Sequence, residues 1–288
     1  MQPIVSANKL ISPLFYPGSG VVTPRLPTIN RAVELFPKPP ATVVSCFLGG
    51  GKLEIKLASE GYDVIGYDLF KPLMKMWYDV LNHTDLLVNK TLSVYQQGLG
   101  QGGYFEELLD KRYEGEPMYQ SALILCMNHL LNKRNEYAFS FRPDAEMKFP
   151  DYYVSGKAMY TYSNSGLSHF AYDYDLLSHI AKASITTDCL SCFDAIDLHH
   201  NDFLYLDPPT WQGNKRCYGD SDDYLLTFDH TLLRDKLTEH DQWVLTTKDV
   251  GPIKQLYDYD LFIVESIPSI YKNRRDYLVI YPAVLLEA

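Results

Sequence analysis

Phe203-Leu204-Tyr205-Leu206-Asp207-Pro208-Pro209-Thr210 is the stretch on which the reading of this chain turns. The apolar run Phe203 to Leu206 predicts a buried strand, and Asp207 places a carboxylate at its carboxyl end, the edge where open α/β sheets receive ligands. Pro208 and Pro209 remove two backbone donors and hold the chain extended, so the carbonyls of Asp207 and Pro208 face outward with few conformational alternatives. A rigid corner made of acceptors suits an amino group.

Working outward, Thr42-Val43-Val44-Ser45 reads as another strand and runs into Cys46-Phe47-Leu48-Gly49-Gly50-Gly51, with a helical pattern beyond it through Leu53, Ile55, Leu57 and Ala58. A strand, a glycine turn and a helix make a cofactor cradle, because glycine lets a ligand approach the backbone closely. Asp63 to Tyr67 predicts a second buried strand, with Asp68 at its carboxyl end able to accept hydrogen bonds from ribose hydroxyls. Each signal also has a plainer reading: three glycines can be a tight turn with no ligand, and an Asp at a strand end can cap the next helix. Their order in one chain is what gives them weight. A helix is expected from Pro72 through Leu81, with Pro72 in its first turn. The proline- and glycine-rich opening is expected to be a loop leading to a helix over Ile29 to Phe36, which Pro37, Pro39 and Pro40 end.

From about Asp85 to Ser184 the alternation of strand and helix fades into helical and tyrosine-rich segments, including Tyr119 to Leu131, an interval too long for a crossover. It is read as an inserted, mostly helical lobe over residues 85–184, set into a domain made of residues 1–84 and 185–288. The sheet pattern resumes at Ile185-Thr186-Thr187, Phe203 to Leu206 and Trp243 to Thr246. The last strands, Leu261 to Ser266 and Tyr277 to Tyr281, have only a short polar link between them, which predicts an antiparallel pair at the sheet edge.

Composition narrows the classes. At 288 residues and 46% hydrophobic the chain can bury a large core, and it has no apolar run of bilayer-spanning length. Met1 to Leu10 lacks a basic segment followed by an apolar core, so a cytoplasmic protein is expected. A formal charge of −10 argues against nonspecific coating of nucleic acid, although local basic pairs such as Lys133-Arg134 and Lys215-Arg216 remain. Five scattered cysteines fit reduced thiols. Cys189 and Cys192 have the spacing of half a zinc site, but no second pair completes it, and no metal is expected. The run Gly98 to Gly103 lacks the Lys-Ser/Thr ending of a phosphate loop and reads as a simple loop.

With these features in place, most of the chain resembles the Dam-like (D12 class) N6-adenine-specific DNA methyltransferases. Leu14 to Gly20 is similar to the family's amino-terminal cofactor motif, with Tyr16 and Gly18 at matching positions, and Phe47-Leu48-Gly49-Gly50-Gly51 resembles its FxGGG loop. Tyr67-Asp68 resembles the acidic ribose motif, Phe203 to Pro209 the catalytic strand ending in DPPY, and Ala122 to Arg134 a segment of the family's lobe. Asp229-His230, Trp243 to Asp249, Leu256-Tyr257 and Asn273 to Ile280 are similar to its carboxyl-terminal helix, strand and hairpin. The resemblance implies a Rossmann-like S-adenosylmethionine-dependent methyltransferase sheet with an antiparallel edge hairpin and an inserted target-recognition lobe. It implies methyl transfer to the N6 amine of adenine in DNA. S-adenosylmethionine would be held by Tyr16, Gly18, Phe47, Gly49, Gly50, Gly51, Asp68, Phe193 and Asp207. Asp207, Pro208, Pro209, Thr210 and Trp211 would form the catalytic corner, and Lys133, Arg134 and Arg142 of the lobe would meet an adenine-containing duplex.

Three stretches depart from the family pattern. Thr210 stands where the family has the Tyr that stacks on the extruded base, and Trp211 is expected to take over that face. Gly20 and Phe15 replace the cations of the amino-terminal motif, and Ser45-Cys46 replaces the Glu-Pro before the glycine loop. These departures keep a second reading open, in which the chain retains the methyltransferase fold as a catalytically inactive binding or structural module.

Overall fold

The computed structural model describes residues 26–98, 116–122, 180–211, 228–269 and 276–286. Within them the chain runs α1 (Leu26–Glu34), β1 (Thr42–Ser45), α2 (Lys52–Ser59), β2 (Asp63–Tyr67), α3 (Lys71–Asn82) and α4 (Thr84–Gly98). It continues with β3 (Ile185–Asp188), α5 (Cys192–Leu198), β4 (Phe203–Leu206), α6 (His230–Leu237), β5 (Trp243–Lys248), α7 (Gly251–Leu256), β6 (Phe262–Ile267) and β7 (Tyr277–Pro282). A helical stretch also covers residues 117–122. The strands form one seven-stranded sheet in the order β3-β2-β1-β4-β5-β7-β6. Strands β1 to β5 pair in parallel, and β7 runs antiparallel to both β5 and β6. The last two strands do form an antiparallel pair at the sheet edge.

Strand alternation distributes the core over both faces of this sheet. Val43, Val64, Phe203, Tyr205, Val244, Val279 and Tyr281 point to one face, where Ala32 of α1, Leu57 of α2, Met76 and Trp77 of α3 and Leu87 of α4 cover them. Their neighbours Val44, Leu204, Leu206, Leu245 and Ile280 point to the other, against Ala195 and Ile196 of α5, Leu233 of α6 and Ile253 of α7. Burial on both sides is why β4 reads as an unbroken apolar run and why β1 carries Val43 and Val44 side by side. The flanks of the 85–184 interval share the first face: Val94, Met118, Ala122 and Ile180 are buried in the same cluster. Ser121 Oγ donates to Asp79 Oδ2 at 2.5 Å, and Lys75 pairs with the other oxygen of that fully buried carboxylate.

Both ends of α1 differ from expectation. α1 begins at Leu26 and ends at Glu34, so Pro27, read from sequence as loop, lies in the first turn, where a missing N–H breaks no helical hydrogen bond. Pro72 does occupy the start of α3. Among the described residues, no helix is long and apolar enough to cross a membrane.

Strand order reverses between β1 and β4. From β1 the chain builds outward through β2 and β3, whereas β4 and β5 lie on its other side. The loops leaving those two strands therefore part in opposite directions and open a crevice at their carboxyl ends. Both stretches singled out in the sequence, the glycine turn and the Asp-Pro-Pro corner, leave the sheet there.

Candidate active site

The glycine turn is built by close approach. Leu48 N–H donates to the Tyr67 carbonyl at 2.7 Å, which ties the turn to β2, and Gly51 N–H closes back on the Leu48 carbonyl at 2.8 Å. Gly49 and Gly51 adopt φ of 47° and 62°, the left-handed region that glycine enters without steric cost. Space also requires Gly51: a Cβ there would stand 2.6 Å from Cζ2 of the buried Trp77. Trp77 in turn donates Nε1–H to the Gly49 carbonyl at 3.0 Å, so the floor of the bend is an indole plate. Gly50 is buried beside them.

Asp68 braces this bend from the next strand. Its Oδ2 accepts Gly49 N–H at 3.0 Å, and its Oδ1 accepts Phe70 N–H at 3.0 Å. Burial pushes its pKa up, and the backbone donors oppose that push. One carboxylate thus spans the glycine turn and the start of α3, while each oxygen keeps acceptor capacity for a further donor.

Across the crevice, Asp207 follows β4 on the same face as Tyr205. Thr246 Oγ1 lies 3.5 Å from Asp207 Oδ1 and 3.0 Å from the Tyr205 hydroxyl, so β5 steadies the carboxylate. Pro208 is buried, and Pro209, Thr210 and Trp211 are half-buried. His230 stands at the start of α6 and is 6% exposed. Burial lowers its pKa to about 4, so the ring is neutral near neutral pH. The Trp211 and His230 rings lie 5.2 Å apart.

Aromatic side chains join the two banks. Phe228 touches His230 edge-on at 4.8 Å and Phe47 edge-on at 5.7 Å, and it stacks on Phe193 at 5.7 Å with 13° between the planes. Phe47 and Phe193, two of the residues expected from sequence, therefore share a neighbour that sequence reasoning passed over. Glu54 was passed over as well. It lies in the first turn of α2, 4% exposed, and accepts the Ser45 hydroxyl at 2.6 Å. Burial pushes its pKa up to about 7 against the Ser45 hydrogen bond, with a further push from the charge of Asp207. Its signal in the sequence was an acid among Leu53, Ile55 and Leu57 on a helix whose N-cap, Gly51, has no side chain to offer.

The structure thus gathers Phe47, Gly49, Gly50, Gly51, Asp68, Phe193, Asp207, Pro208, Pro209, Thr210 and Trp211 at one end of the sheet, as β1, β2, β4 and α5 position them. Tyr16 and Gly18, and the three lobe cations Lys133, Arg134 and Arg142, lie outside the described residues. Cys46, Cys189 and Cys192 are free thiols, with burial pushing Cys192 up to about 12. Among the described residues, no three His, Cys, Asp or Glu side chains meet in a metal-binding group.

Comparison with curated proteins finds no match. A family model described as D12 class N6 adenine-specific DNA methyltransferase matches residues 27–274, which span the sheet from α1 through β6 and include the glycine bend, Asp68 and the Asp-Pro-Pro corner. With most of its length so matched, and with a seven-stranded sheet that is mostly parallel and has an antiparallel edge, the chain belongs to the D12 class N6 adenine-specific DNA methyltransferase family.

Proposed function

We propose that this protein transfers a methyl group from S-adenosylmethionine to the N6 amine of adenine in DNA. The observation that carries the proposal is the pairing, across the reversal of strand order, of a glycine bend braced by Asp68 with the Asp207-Pro208-Pro209 corner. The residues present fit such a cofactor. Asp68 has acceptor capacity for ribose hydroxyls, and Phe47 and Phe193 offer apolar faces for a purine. Asp207 supplies the negative charge that a cationic ligand needs nearby, and its field reaches as far as Glu54. When bound, S-adenosylmethionine supplies an activated methyl on a sulfonium.

The protein's own part is to bind and orient. Adenine's exocyclic nitrogen is a poor nucleophile because its lone pair is delocalised into the ring. Asp207 Oδ and the Pro208 carbonyl accept its two N–H bonds and so favour a pyramidal, electron-rich nitrogen. The carboxylate is held by Thr246 and the carbonyl by the proline-stiffened chain, so little reorganisation remains at the moment of reaction. The base reaches this corner only after leaving the duplex stack, and Trp211, in place of the family's Tyr, holds it by one face. Residues 85–184 are the recognition lobe in this reading, with Lys133, Arg134 and Arg142 on phosphates or bases.

The test is transfer of a labelled methyl from S-adenosylmethionine to DNA of varied sequence, with digestion to nucleosides to locate the label. N6-methyladenine from the parent, and its loss in Asp207→Ala, is the expected result. An Asp207→Ala variant as active as the parent would refute the assignment. A parent inactive on every DNA, while still binding the cofactor, would favour the inactive-module reading that Thr210 motivates.

A further inference from the structure

α3 carries a fully buried charge where it meets the inserted segment. Asp79 is 0% exposed, and a carboxylate removed from water is costly unless its oxygens are matched. Lys75, one turn earlier in α3, pairs with Oδ1, and the Ser121 hydroxyl of the 117–122 helix donates to Oδ2 at 2.5 Å. The second bond joins residues 42 positions apart, so sliding one helix past the other strands an acceptor inside the protein. Met118 and Ala122 add apolar packing to the same seam, in one core cluster with Met76 and Trp77 of α3.

The other side of α3 holds the glycine bend. Trp77 and Asp79 are two residues apart, about 200° around a helix. Trp77 Nε1–H donates to the Gly49 carbonyl, and its ring fills the space over Gly51. The helix also starts on the cradle: Phe70, its N-cap, donates N–H to Asp68, whose other oxygen takes Gly49 N–H. With Leu73, Met74, Met76 and Val80 buried as well, α3 has little room to move by itself, and a close-packed element passes displacement on.

We propose that α3 is a rod coupling the recognition lobe to the cofactor cradle, with Ser121 and Asp79 as the positioning residues that fasten its lobe end, so that DNA and cofactor raise each other's affinity. This inference rests on the function proposed above and gives the lobe a regulatory part in it. A lobe ordered on DNA fixes Ser121 and Asp79, α3 fixes Trp77 and Asp68, and the bend has less freedom to lose when the cofactor arrives. The coupling is reciprocal, each ligand changing the other's affinity by the same factor.

The test compares Ser121→Ala, which removes the donor, with Asp79→Asn, whose amide oxygen can still accept it. Thr91→Val is the control: it deletes another fully buried hydroxyl, one that donates to the Leu87 carbonyl of its own helix at 2.7 Å. The first readout needs no ligand. Hydrogen exchange over the peptide containing Gly49 and Gly51, whose amides are bonded to Asp68 and the Leu48 carbonyl, should quicken about fivefold or more in Ser121→Ala, with β4 unchanged, and stay near parental in the other two variants. The second is calorimetric binding of S-adenosylhomocysteine, which permits no turnover, with and without an adenine-containing duplex. In the parent the duplex should tighten that Kd by about fivefold or more, and in Ser121→Ala by about twofold or less with the duplex still bound.

Parental exchange over the bend in Ser121→Ala would overturn the proposal. So would equal quickening over β4, or in Thr91→Val, which would mark Ser121 as core packing alone. A duplex effect absent from the parent, or undiminished in Ser121→Ala, would overturn it as well. Should the parent bind neither cofactor nor DNA, the functional reading falls separately, and the ligand-free exchange comparison still decides whether Ser121 holds the bend.

Discussion

Replacing Gly51 by Ala tests the glycine bend at its tightest point. An L-residue held at φ +62° is strained by about 1–2 kcal/mol. The new methyl would also stand 2.6 Å from Trp77 Cζ2 and 2.9 Å from Cη2. The indole cannot swing aside cheaply, being 1% exposed and bonded to the Gly49 carbonyl at 3.0 Å. Overpacking of that kind costs about 1–3 kcal/mol. The two contributions together give a loss of about 2–5 kcal/mol, a large part of a domain's net stability of about 5–15 kcal/mol. Urea and thermal unfolding should register it, with cofactor affinity falling in parallel as the bend is displaced. Gly251→Ala is the control: a Cβ there meets nothing within 4 Å, and its φ is outside the left-handed region, so its effect should stay within about 1 kcal/mol of zero or be stabilising. Because part of the cost is a clash with one ring, Gly51→Ala should be milder in a Trp77→Leu background than in the parent. Parental stability in Gly51→Ala, or an identical penalty in both backgrounds, would refute the reasoning.

Glu54→Gln should change how stability depends on pH. The folded carboxyl has a pKa near 7, above its ordinary 4.5, so between those values the native state holds a proton that the unfolded chain has released. Stability from this group is full below its unfolded value and is lost as pH rises through about 7, to a total of about 3 kcal/mol. Urea unfolding across that window should find Glu54→Gln gaining on the parent as pH rises, and a constant difference would contradict the burial argument. Trp211→Ala should lower kcat by the equivalent of about 1–3 kcal/mol of base stacking while leaving cofactor Kd nearly unchanged, and calorimetry showing an equal loss of both would count against its role. Neutralising Lys133, Arg134 and Arg142 together should weaken DNA binding and flatten its salt dependence by about three phosphate contacts, and an unchanged slope would remove them from the interface.

The sheet was legible wherever burial on both faces leaves a strand nothing but apolar residues. β4 is such a strand, and β1 and β2 have the expected bounds around the apolar pairs Val43-Val44 and Val64-Ile65. β5 extends two residues further than Thr246, through Thr247 and Lys248, because those polar residues pair with Leu278 and Tyr277 of a strand that comes later in the chain. No local pattern announces such a partner. At the site, the glycines and Asp207 were readable because conformational demand writes itself locally, as a left-handed turn or a proline after an acid. Glu54, Phe228 and His230 were not readable in the same way. An acid in a helix, a Phe before an N-cap and a His after it look ordinary until α2 and α6 bring them against Ser45, Phe47 and Trp211.

The tie between Arg31 of α1 and Glu265 of β6, two bonds at 2.8 and 2.7 Å across 234 positions of sequence, bears on how the molecule is made. Tyr281 of β7 completes that joint from the following strand, its hydroxyl donating to Glu265. During synthesis, then, the first described helix has no finished seat until the last hairpin has left the ribosome, and its buried Ile29 and Ala32 must wait uncovered. Contacts of such long sequence separation slow the approach to the native state. A truncation that removes the hairpin would strand the beginning of the chain as surely as the end.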